Sequence, residues 1–198
     1  MLIVGTDEAA VEHDLLSGGL ACPDCRGPLS PWGHACARPL HLVGGEVVQL
    51  TPRRAICRAH PTAMTHVLLP DSCLRRRRDH VEVIGSAITQ HADGAGQRPI
   101  AASLGGVSRE KVRGWLQAFA AAAGEIREHF TRWAHALDPE LAAIAPAREA
   151  VADALSAIGV AVRAYVLRFG PTPEWGVVAR LSGGVLLCNT KLPFPAVP

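Results

Sequence analysis

Two short pairs, Cys22-Pro23-Asp24-Cys25 and Cys57-Arg58-Ala59-His60, flank a stretch rich in glycine and proline. No other feature constrains the fold of this chain as strongly. A C-x2-C turn brings two thiolates onto one tetrahedral ion, and a C-x2-H turn supplies two further ligands. Two such turns in series, each bordering residues with strand character, predict a small zinc ribbon. Its expected ligands are Cys22, Cys25, Cys57 and His60, with Zn²⁺ as the cofactor. The last position has a competitor, His66, six residues after His60, and His34 or Cys36 could intrude from the loop.

Cys36, Cys73 and Cys188 have no partner at ligand spacing and read as ordinary reduced cysteines. A disulfide framework does not suit the chain, which shows no signal-peptide pattern and carries only 6 cysteines in 198 residues. No apolar run is long enough to span a bilayer. The expected location is the cytoplasm, in association with the nucleoid.

The formal net charge of +2 conceals a partition. Residues 1–24 hold five acids and no Lys or Arg, and residues 25–113 hold thirteen bases against six acids, giving +7. The remainder balances at seven against seven. Positive charge concentrated on one stretch is what a phosphate backbone selects.

Residues 1–18 read as an acidic lead-in with a short helical turn around Glu8 to Leu16. Residues 19–72 form the expected ribbon. Leu40–Val43 and Glu46–Leu50 flank Gly44-Gly45 like a hairpin, Arg53–Ile56 leads into the second pair, and Val67–Leu69 is a final strand. From Asp79 the apolar period lengthens. Val81, Ile84, Ala87 and Ile88 predict an amphipathic helix ending near Asp93-Gly94, and a short helix follows over Pro99–Leu104. Ser108 is a good N-cap for a third helix, Arg109–Ala123.

The segment Ile100–Leu116 has the pattern of a helix-turn-helix. Ala101 and Ala102 permit close helix approach, Gly105 supports the turn, and Val107, Val112 and Leu116 seat the second helix. Ser108, Arg109, Lys111 and Arg113 then face outward near its N-terminus, where base edges and phosphates are reached. Arg98 and the run Arg75-Arg76-Arg77-Arg78 complete the expected DNA-binding set, since guanidinium groups stay charged and clasp phosphate in a fork. A solvated basic face on a three-helix unit is the plainer alternative.

Residues 73–123 are thus expected to be the helix-turn-helix unit. Residues 124–170 are expected to form a helical hairpin whose wide apolar stripes suit either core packing or a homodimer interface. Residues 171–198 read as a short β and Pro-rich tail, with a strand or hairpin around Ser182-Gly183-Gly184. The expected fold class is mainly α with a small β zinc ribbon.

Cys22-Pro23-x-Cys25, Leu29, Trp32-Gly33, Arg54-x-x-Cys57-x-x-His60, Thr65-His66-Val67-Leu68-Leu69-Pro70, Ile100-Ala101 and Val112-Arg113-Gly114-Trp115-Leu116 carry a resemblance. Over roughly residues 20–120 the chain resembles actinobacterial transposase-like proteins of unknown function, with an N-terminal zinc ribbon and a helix-turn-helix. Members of that family more often have cysteine where this chain has His60. The resemblance implies recognition of mobile-element DNA and does not by itself supply a nuclease. A two-metal nuclease needs three carboxylates on a mixed sheet. The acids after residue 120 lie on helical segments, and Tyr165, the sole tyrosine, lies in an apolar stripe, so no catalytic residues are expected.

The expected function is a non-catalytic, zinc-dependent, sequence-specific DNA-binding protein. It would serve as a transposon or recombination accessory factor, or as a transcriptional regulator. The expected partner is double-stranded DNA, with no membrane and no small-molecule substrate. The alternative is an adaptor that docks onto a recombinase or transposase.

Overall fold

The computed structural model describes residues 1–147, 149–188 and 193–197. The fold is mixed α/β, with more sheet than a small ribbon supplies. In chain order the elements are β1 (Leu2–Val4), α1 (Glu8–Ser17), β2 (Leu29–His34), β3 (Arg38–His41), β4 (Val47–Leu50), β5 (Arg53–Cys57), β6 (Met64–Pro70), α2 (Val81–Ala92), α3 (Gln97–Ser103), α4 (Arg109–Leu137), α5 (Ala150–Phe169) and α6 (Glu174–Leu181).

The N-terminal part is a four-stranded sheet of order β1-β6-β5-β2. β1 runs parallel to β6, with Leu2 opposite Leu68, and the other pairs are antiparallel. Residues 1–18 are therefore not a separate lead-in. Leu2 and Val4 join Val11, Leu15 and Leu20 around Leu29, Ala55 and Leu68. The Asp7 carboxylate caps α1 by accepting from the Ala9 and Ala10 amides, and Gly18 closes it in the left-handed conformation. Glu12 on α1 clasps Arg53 on β5 through two hydrogen bonds of 2.7 and 2.9 Å.

β3 and β4 form a separate hairpin, with Gly44 and Gly45 both at positive φ as the turn demands. Leu40, Leu42, Val48 and Leu50 pack on Leu69, Cys73 and Ile3 at one edge of the sheet. The hairpin is tied to the start of α2, since His41 N–H donates to Arg78 C=O and His80 N–H donates to His41 C=O, both at 2.8 Å. Its tip meets the turn between α3 and α4. A Cβ on Gly45 would stand 2.5 Å from the Gly105 carbonyl oxygen, and one on Gly105 would stand 2.3 Å from the Gly44 carbonyl carbon.

The second half is a helical core built from α2 to α6. α2 and α3 fall where the apolar period places them. α4 is longer than expected and crosses Gly124 without a break, because Val112, Leu116, Phe119, Ala123, Ile126, Phe130 and Ala134 form one buried stripe. The boundary expected at residue 123 is thus interior to one helix. α4 packs along α5, and the two form the expected hairpin.

The expected β tail is corrected to a helix. α6 begins after Pro171-Thr172-Pro173 and buries Trp175, Val177, Val178, Ala179 and Leu181. Burial of five consecutive residues, Trp175 to Ala179, hides the helical period, so the stretch imitates a strand. Gly85 on α2 leaves space for the Trp175 indole, and Arg180 is hydrogen-bonded to buried Asp71 at the end of β6. Of the expected Pro-rich end, residues 189–192 and 198 lie outside the described residues.

Candidate functional site

Three of the expected ligands come together. Cys22, Cys25 and Cys57 have sulfur atoms within 4.8 Å of one another, with Cys25 and Cys57 at 3.4 Å. The fourth position differs from expectation. His66 Nε2 lies 3.4 Å from Cys22 Sγ, whereas His60 turns its Nδ1 onto Thr62 Oγ1 at 2.9 Å. Strand geometry explains the exchange. His66 is paired with Ala55 across β5 and β6, so it points to the inner face with Cys57, while the Cys57–His60 turn carries its histidine away. Cys36 and His34 do not join the described cluster.

The Cys22, Cys25 and Cys57 sulfurs form one triad and Cys22, Asp24 and His66 a second that shares Cys22, an arrangement compatible with one bound metal ion. Metal–sulfur bonds near 2.3 Å and metal–nitrogen bonds near 2.0 Å imply donor separations of about 3.5–3.8 Å. The 3.4 Å spacings at the two ends of the cluster are close to that. Gly27 permits the approach, because a Cβ there would stand 2.7 Å from the Ala59 Cβ and within 3.6 Å of both Cys25 and Cys57 sulfurs. The first turn is itself fixed by Arg26 N–H donating to Cys22 C=O and Cys22 N–H donating to Gly27 C=O.

The local electrostatics favour the ligand form at Cys22 and His66, whereas at Cys25 the Gly27 backbone N–H is outweighed by the Cys57 and Cys22 sulfurs and by burial, which together push that thiol up. Burial opposes ionisation of Cys22, but the backbone N–H groups of Cys25 and Asp24 outweigh it and draw the thiol pKa below its ordinary value. Burial, followed by the nearby Met1 ammonium group, pushes His66 below its ordinary value and keeps the imidazole neutral. A thiolate and a neutral imidazole are the species that bind metal. The Asp24 carboxylate, 3.9 Å from His66 Nε2, is a further oxygen donor at the rim. His66 Nδ1 faces the Met1 amino group at 3.4 Å.

The basic run divides by direction. Arg75 donates to Met1 C=O at 2.8 Å and Arg77 Nε donates to Leu187 C=O at 2.9 Å, and both are half-buried. Their guanidinium groups join the run to the chain's two ends, which corrects the expectation of four outward arginines. Arg76 and Arg78 are exposed. With Ser108, Lys111, Trp115 and the acids Asp79 and Glu110 they line a shallow concavity of about 570 Å³. Lys111 Nζ is paired with buried Asp79 at 2.9 Å, and Ser108 Oγ accepts from the Lys111 amide as the cap of α4. Arg98, Arg109 and Arg113 are exposed.

A larger cleft of about 760 Å³ lies between α1 and the sheet, lined by Val4, Val11, Leu50 and Leu68. Of its charged lining residues Glu12 and Arg53 are paired with each other, and Glu8 also lines the cleft. Sequence reasoning passed over Trp32 and Arg58 as a unit. Arg58 lies 5.8 Å from the Trp32 ring centroid on the outer face of the sheet.

The chain matches no protein-family model, no curated protein and no solved structure.

Proposed function

We propose that this chain is a zinc-dependent, sequence-specific DNA-binding protein that does not itself cut DNA. In this reading Cys22, Cys25, Cys57 and His66 hold a structural Zn²⁺, and α2 to α4 act as a helix-turn-helix with α4 as the recognition helix. The observation that carries the reading is the shared concavity of Arg76 and Arg78 with the N-terminus of α4. Positive charge beside an outward helix N-terminus matches how such helices are set against phosphates and base edges. Arg109 and Arg113 lie on the same helix, exposed, one and five residues after the Ser108 cap.

Zinc has a structural part here. Four protein donors close a tetrahedral shell, which is the form of a stapling site and leaves no open position for a reacting water. The staple ties the Cys22–Cys25 turn, which precedes β2, to β5 and β6, and the β3–β4 hairpin joins that sheet to the turn before α4. An accessory role in transposition or recombination, or a regulatory one, follows as the biological setting.

Selection of bound duplexes from a random pool, with zinc present, tests the reading. One enriched motif is the expected result, and a palindromic motif would indicate a dimer. A pool with no enrichment would reject sequence-specific binding.

The adaptor reading keeps one specific observation in its favour. Leu167 and Phe169 at the end of α5 are 82% and 59% exposed. Retained binding of a recombinase by protein that shifts no DNA at low salt would favour it.

A further inference from the structure

Strands β2, β5 and β6 present two faces of opposite character. Leu29, Ala55, Cys57, His66 and Leu68 point inward to α1 and the metal cluster. The outer face carries Ser30, Ile56 and Thr65 in one cross-strand row and Arg54 beside Val67 in the next. The β3–β4 hairpin covers the Ile3 and Leu69 end of this face. At the β2–β5 end Trp32 stays 48% exposed, while Ile56 on the same face of β5 is buried.

Its chemistry is selective. Arg58 stacks near the Trp32 ring at 5.8 Å, and Arg54 Nη2 is held by Thr65 Oγ1 at 2.8 Å. The three strands contain no aspartate or glutamate. An exposed indole with one guanidinium over its ring and a second, Arg54, on the neighbouring strand, on strands without an anion, is complementary to an aromatic ring that carries phosphate. Nucleobases in a duplex are stacked on one another, so an indole can take the face of an unpaired base only. Arginine beside the ring adds both a phosphate contact and cation–π attraction.

We propose that the outer β2–β5 face, around Trp32, Arg54 and Arg58, binds single-stranded nucleic acid. One unpaired base stacks on Trp32, and the flanking phosphates lie on the two arginines. The site is distinct from α4 and gives the chain two nucleic-acid surfaces, one for a duplex and one for an opened strand.

The test uses the full chain loaded with zinc. Binding of a short, labelled, mixed-sequence single-stranded DNA and of its duplex is followed by anisotropy at low salt. Trp32→Ala is expected to weaken single-strand binding about tenfold, the typical loss of one base–aromatic stack. Trp32→Phe should recover most of that loss, and duplex affinity should stay within about twofold because the site takes no paired base. Arg113→Ala, exposed on α4, should show the reverse preference. Equal single-strand affinity for wild type and Trp32→Ala overturns the proposal, as does a wild-type chain that binds no single strand. Loss of duplex binding alone would reject the role given to α4 and leave this site standing. Trp32 is on the surface, so an unchanged circular dichroism spectrum separates lost contact from lost fold.

Discussion

The Trp175 indole fills the space that a side chain at Gly85 would need: a Cβ on Gly85 would stand 2.1 Å from Trp175 Cδ2. α6 is thereby keyed into α2 at one position. Gly85→Ala improves intrinsic helix propensity by about 1 kcal/mol, but must displace a large ring that is itself buried. Overpacking of this kind costs about 1–3 kcal/mol, and the rigid indole places the variant toward the upper end. Urea unfolding should show a lower midpoint for Gly85→Ala, with recovery on adding Trp175→Leu.

The ligand assignment separates two histidines. His66→Ala should weaken zinc binding by about 100-fold, as one ligand's share of a site contributing on the order of 10 kcal/mol. His60→Ala should leave chelator competition nearly unchanged, because its ring is engaged by Thr62. Equal losses in the two variants would return His60 to the ligand set.

Much of the metal cluster was legible in the sequence because knuckle spacing is local. Three ligands follow from turns of four residues. The fourth depends on strand parity, since His66 and Leu68 share the inner face of β6 while Thr65 and Val67 share the outer one. A reading that treated only Val67–Leu69 as strand stopped one residue short of the signal. The start of α4 was legible too, but not its length: the helix was expected to stop at Ala123, although the steps from Val112 through Phe119 and Ile126 to Ala134 cross Gly124 in phase. The inward turn of Arg75 and Arg77 was not, because their acceptors, Met1 and Leu187, are remote in sequence.

That division within the basic run gives a salt signature. Arg76→Ala and Arg78→Ala should each weaken duplex binding uniformly and reduce the slope of log K against log salt by about one. Arg75→Ala should instead lower the melting temperature, as its guanidinium holds Met1 and its side-chain stem lies against Gly184. Filter binding over a salt series and thermal melts together distinguish contact from scaffold.

His129 makes the helical core sensitive to acid. It is fully buried, its Nε2–H donates to Leu181 C=O at 2.9 Å, and its ring stacks on Phe194 at 4.4 Å. Burial lowers its pKa below the ordinary value, against the Leu181 hydrogen bond and together with nearby Arg132. The unfolded histidine takes up a proton near pH 6.5, where the folded one does not. The unfolded state therefore binds more protons in the interval below that pH, and stability falls as pH drops through it. His129→Gln, which can still donate to Leu181, should flatten this part of the pH dependence. Urea titrations at pH 7.5 and 5.5 with saturating zinc check the difference in slope.

Where Gly45 and Gly105 touch, neither position has room for even one methyl group, and the strands of the same hairpin pack Leu40, Leu42, Val48 and Leu50 on the sheet edge at Leu69 and Ile3. Its length is therefore a fixed distance between the edge of the four-stranded sheet and the turn ahead of α4. A loop of this kind cannot drift in length as surface loops usually do. Inserting two residues at its tip would leave each half of the molecule intact and put them out of alignment with each other.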